Sequence, residues 1–147
     1  MRAIVCISSR PGAGRVGADV EERLRSAFHQ ELAVARRAEH EGDLRRAWRH
    51  LERAHVLSQA HAGPHVRVHG RMFAFAWRRR DLRELLGQLP RLLLAAPGSW
   101  TGRAPRGNTG GADVGIFTPM AIPPDLAALL SERGASSGRR GGTNSVR

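Results

Sequence analysis

Apolar residues recur along most of this chain at the spacing of helix faces, not of strands. Leu24, Phe28, Leu32 and Ala35 fall on one stripe and predict a helix over 19–40. Asp19, Glu21 and Glu22 fall in its expected first turn, where the helix dipole favours acids. Gly42 should stop this helix and Asp43 cap the next. Leu44, Trp48, Leu51 and His55 then share a face, with Ala47 and Ala54 beside them, and predict a second helix over about 44–59. Pro64 suits a first helical position and opens a third helix, about 64–79. That segment is apolar on most sides around MFAFAW (72–77), which makes it the expected central helix. Asp81 is placed to cap a fourth, about 82–96. There Leu82, Leu85, Leu86, Leu89, Leu92 and Leu93 form a broad stripe that Gly87 and Pro90 should kink.

The interhelical turns Gly42-Asp43 and Arg80-Asp81 stand 38 residues apart, and each is followed by apolar residues at matching offsets. The spacing resembles the tetratricopeptide pattern, in which small residues let paired helices pack closely. Two degenerate units fall short of the usual three, so the expected fold is an all-α, tetratricopeptide-like bundle of two helical hairpins. Residues 97–123 are rich in Gly and Pro but carry Trp100, Ile116, Phe117 and Met120, and are expected to pack back as an ordered C-terminal arm. DLAALLSER predicts a short last helix. The expected organisation is a flexible Gly/Arg-rich extension over 1–18, a helical domain over 19–132 and a disordered basic tail over 133–147.

A net charge of +11 invites a nucleic-acid reading, but its location argues otherwise. Residues 1–18 and 133–147 hold seven arginines and no acid, whereas 19–132 sets 17 arginines against 13 acids. All 24 basic residues are Arg, a bias closer to GC-rich coding than to a designed phosphate surface. Nucleic acid is therefore not an expected partner. No apolar stretch is long enough to span a bilayer, and MRAIVCISSR is too brief for a secretory segment, so a cytoplasmic location is expected. Cys6 is the single cysteine, which excludes an internal disulfide and a cysteine-based zinc knuckle.

The chemistry-bearing residues cluster. Five of seven histidines lie between His50 and His69. His65 and His69 are four apart and share a helical face, and antiparallel packing about the turn at 60–63 sets His55 opposite them. Three imidazoles suit zinc, copper, nickel or cobalt, with His61, Glu52 or water as a fourth ligand. Val66 stands where a metalloprotease helix carries its Glu, which argues against water-activating hydrolysis. The same histidines also fit a structural role on half-buried faces, or a pH sensor. Gly12 to Gly17 matches GxGxxG, but no second strand with an acid follows, so dinucleotide binding is not expected. Arg103, Arg106, Asn108 and Thr109 around Gly107 and Gly110 suggest either an anion-binding backbone nest or a plain turn. Without Tyr, Lys or a Ser–His–acid grouping, no catalytic residue is identified.

The runs GDLRRAWRHLERAHVLSQ, GPHVRVHGRMF, LLLAAPGSWTGRAPRGNTG and PMAIPPDLAALL together resemble the bacterial domain-of-unknown-function family 3703, over about residues 20–130. The resemblance implies a compact helical protein whose signature runs contribute His50, Glu52, His55, His65 and His69. It implies no reaction. Gly70, where a larger residue is expected, departs slightly and should loosen the third helix. The leading expectation is a small non-enzymatic protein that binds zinc or another divalent transition metal, for metal handling or sensing. The alternative is a tetratricopeptide-like module whose helical surface meets a protein partner.

Overall fold

The computed structural model describes residues 13–138. Five helices follow in order: α1 Ala13–His40, α2 Leu44–Ser58, α3 Ala62–Arg79, α4 Leu82–Trp100 and α5 Pro124–Gly138. There is no strand among the described residues, so the chain is all-α there. Helices α1 and α2 form one hairpin and α3 and α4 the other; α2 packs on α3, and α5 packs on α1 and α2. No described helix is long and apolar enough to cross a membrane.

The hairpin turns are built alike. At Gly42, with φ +80°, the amide donates to Glu39 O while Asp43 N donates to Ala38 O. This left-handed cap satisfies carbonyls at the end of α1. At Arg80, with φ +54°, the same pair of bonds runs to Trp77 O and Ala76 O. Asp43 and Asp81 then cap α2 and α4, accepting from Arg46 N and Glu84 N at 3.0 Å.

The central helix is α2, not α3 as the apolar run suggested. Ala47 and Ala54 of α2 are fully buried and, having only a methyl group each, let neighbours close in from several sides. Leu51 packs with Ala35, Ala38, Met72 and Phe75, while Val56 and Leu57 pack with Val20, Leu24 and Leu126. Helix α3 buries Val68, Met72 and Ala76 but leaves Trp77 67% exposed. Among the described residues, helix α4 packs on no helix but α3, so Leu82, Leu86, Leu89 and Leu93 of its stripe face outward.

Three boundaries differ from expectation. Helix α1 begins at Ala13, so Asp19, Glu21 and Glu22 lie beyond its first turn, which carries no acid. Residues Ala13 to Gly17 of the glycine-rich motif are helical, which leaves no phosphate-cradling loop there; Gly12, the strand-like AIVCI and Cys6 lie outside the described residues. Helix α5 extends to Gly138, past the expected domain end. Helix α4 continues through Pro90 and Pro97 to Trp100, which brings Ser99 into its last turn.

The arm, 101–123, is held differently from its apolar cargo's promise. Phe117 is 73% exposed, and Trp100, at the end of α4, is exposed too. Hydrogen bonds do the holding. Asn108 donates through Nδ2 to Gly115 O and Thr118 O and accepts from Gly110 N. Gln59 donates to Pro105 O and accepts from Gly107 N. Glu84 accepts from Ala112 N, and Arg91 donates to Val114 O. Gly87 allows this contact, since a Cβ there would lie 2.4 Å from Ala112 Cβ.

Candidate metal centre

Helix periodicity and the hairpin between α2 and α3 bring three expected histidines together. His65 and His69 stand one turn apart on α3, and the short link 59–61 sets His55 of α2 beside them. The three Nε2 atoms form a small triangle. His55 and His65 are separated by 2.9 Å, His55 and His69 by 3.1 Å, and His65 and His69 by 3.2 Å. All three rings are buried.

The opposite ring nitrogens fix the tautomers. His55 Nδ1 lies 2.8 Å from Asn108 O, a pure acceptor, so Nδ1 carries the proton and donates. His69 Nδ1 lies 2.7 Å from Gln88 Oε1. The Gln88 amide is oriented by its own donors, since Nε2 donates to Glu84 Oε1 at 2.6 Å and Gly110 O at 2.8 Å. His65 Nδ1 lies 2.8 Å from Ser99 Oγ, whose single proton goes to Gln59 O. Ser99 therefore accepts, and each imidazole turns an unprotonated Nε2 toward the other two. Three lone pairs converge with no proton among them.

Burial keeps the rings neutral. It pushes His55 well below the ordinary imidazole range, helped by His69 and His65, and it pulls His65 and His69 down to about 4. Gly110 presses on the back of this cluster. A Cβ there would meet the His55 ring at 2.8–2.9 Å, and its φ of +83° also disfavours a side chain.

Other expected ligands lie elsewhere. His61 caps α3 without a side-chain capping bond and pairs with Glu21 at 2.9 Å, so it is not brought together with the other three. Glu52 belongs to a separate polar group with Trp48, Thr109 and Asp113; burial, then the Asp113 and Glu84 charges, push its carboxyl up to about 7. His50 pairs with Glu31 at 2.5 Å, and Arg53 ties the same carboxylate to α5 through Asp125. The 107–110 segment forms a turn in which three amides serve protein acceptors: Gly107 N the Gln59 side chain, Asn108 N Pro105 O and Gly110 N the Asn108 side chain. The Thr109 hydroxyl is buried without a hydrogen-bond partner among the described residues, and Arg106 is exposed on the arm.

Sequence reading missed the outer shell. Gln88 is the one amide in a leucine-rich stripe, which was a readable signal; Ser99 and the Asn108 carbonyl carried none. It also missed Arg91, 6% exposed, which bonds Gly87 O at 2.7 Å and Val114 O. Arg91 and all three histidines line one partly open cavity of about 240 Å³, to which the arm and the end of α4 also contribute.

No curated protein and no solved structure matches this chain. A family model described as "Protein of unknown function (DUF3703)" matches residues 22–130, a span that holds every residue of the histidine centre, and the chain belongs to that family.

Proposed function

We propose that this protein binds one divalent transition metal through Nε2 of His55, His65 and His69, in a metal-handling or sensing role. The observation that carries the reading is the triangle of unprotonated nitrogens, each ring held from behind by a hydrogen-bond acceptor. Buried structural histidines are expected to share protons between neighbours; three that all face one another with lone pairs suit a shared cation better. With zinc–nitrogen bonds of about 2.0–2.1 Å, the observed separations give nitrogen–metal–nitrogen angles of about 90–105°, which leave one side of the ion for further ligands. The Nδ1 bonds to Asn108 O, Ser99 and Gln88 are the outer-shell pattern that orients metal-bound histidines. Neutral imidazoles, with no thiol beside them among the described residues, suit zinc, nickel, cobalt or copper(II) over softer ions.

The test is metal content after loading. Chelator-stripped full-length chain is dialysed against zinc, nickel or copper(II) and analysed. One tightly held ion per chain is expected, lost in a His65→Ala/His69→Ala variant that stays helical. Wild-type chain that retains none of these ions at micromolar concentration would overturn the reading.

A further inference from the structure

We infer that the cavity beside the histidine centre binds a small organic carboxylate, whose carboxylate group bridges the metal and Arg91 while an apolar body fills the remaining space. The inference rests on the metal reading of the three histidines.

Charge is the first argument. Arg91 is almost wholly buried, yet no carboxylate lies within ion-pair distance of it among the described residues. Its recorded partners are two uncharged carbonyls, Gly87 O and Val114 O. The Glu84 and Asp113 charges act on Arg91 only from beyond contact distance, burial still pulls its pKa below the ordinary guanidinium range, and five N–H donors exceed what two carbonyls use. Arg91 lines the same cavity as His55, His65 and His69, which places it beside the centre. Three neutral imidazoles leave a bound divalent ion with its full charge, and the exposed Arg103 adds another positive group to the cavity wall. The cavity thus gathers positive charge with no anionic side chain in its lining.

Shape and polarity narrow the ligand. Leu94, Ala95, Pro97, Pro105, Ile116 and Phe117 supply a mainly apolar wall, which suits a hydrocarbon or aromatic body and not a phosphate. A volume of about 240 Å³ lies below the range of drug-sized ligands and fits a compact metabolite. Carboxylate oxygens bind both hard and borderline metals and match the planar guanidinium fork.

The experiment uses the cobalt(II)-loaded full-length chain, whose visible absorption reports the metal's ligands. Benzoate and hexanoate are the probes, with benzamide as the uncharged control. The carboxylates should shift the cobalt bands saturably, and benzamide should not. Arg91→Gln should weaken benzoate at least tenfold while still holding one cobalt, and Arg91→Lys, which keeps the charge but not the fork, should fall between Arg91→Gln and the wild type. Cobalt bound with bands indifferent to both carboxylates would overturn this inference and leave the metal reading standing. Benzamide binding as well as benzoate would overturn the role of charge. Failure to bind cobalt at all would remove the metal reading and this one with it.

Discussion

At the scale of single residues, the centre depends on burial that keeps imidazoles neutral. His65 and His69 titrate near 4 in the folded chain and near 6.5 when unfolded. Between those values the unfolded chain binds more protons, so stability rises with pH across that window and is lost as pH falls through it. At about 1.4 kcal/mol per pH unit for each proton, the two rings together remove several kcal/mol from the metal-free protein between about pH 6.5 and 4. Glu52, whose carboxyl is pushed up to about 7, works in the opposite sense above about pH 4.5, so urea denaturation of metal-free chain at stepped pH should show a net loss smaller than the two rings alone would give, and a His65→Ala/His69→Ala variant should be much flatter. A second outcome concerns Gln88, fully buried and donating at once to Glu84 and Gly110. Gln88→Leu removes the acceptor behind His69 and should weaken zinc about 10–100-fold in a chelator competition, as other outer-shell losses do. The three inner histidines were legible in the sequence because helical spacing and one short turn fix their approach. Their supports were not, because they arrive from 34 and 53 residues away at Ser99 and Asn108.

At the scale of elements, the hairpin turns show what local sequence can specify. Both aspartate caps and the Gly42 stop were legible from residue type, since each satisfies helix-end groups within four residues. Arg80 was not legible as a left-handed cap, because only the preceding carbonyls, Ala76 O and Trp77 O, demand φ +54° there. An L-residue with a Cβ in that region costs roughly 1 kcal/mol relative to glycine. Arg80→Gly should therefore raise stability by about 0.5–1 kcal/mol, seen as a higher denaturation midpoint with an unchanged slope. The leucines of α4 mark the limit of pattern reading. Periodicity identifies an apolar stripe but not what covers it. With α3 the sole helix against α4 among the described residues, Leu86 and Leu93 are exposed there. Central position likewise went to α2, whose alanines admit close neighbours, and not to the longer apolar run of α3.

At the scale of the whole molecule, helices and arm jointly make one polar centre inside an apolar bundle. Helix α2 gives His55, α3 gives His65 and His69, α4 gives Gln88 and Ser99, and the arm gives the Asn108 carbonyl and Gly110. The arm's order was legible from its apolar residues, but the cause is its hydrogen bonds to α2 and α4. Metal binding should accordingly stabilise the full assembly. A hundredfold excess of zinc over its dissociation constant contributes about 2.7 kcal/mol, which corresponds to on the order of 10 °C in melting temperature. The most direct measurement is histidine-selective nitrogen-15 NMR of the full-length chain before and after one equivalent of zinc. The account predicts three imidazoles with protonated Nδ1 and unprotonated Nε2 in the metal-free protein, all three Nε2 signals moving together on zinc addition. An unprotonated Nδ1 on any of the three, or zinc leaving those signals in place, would contradict it.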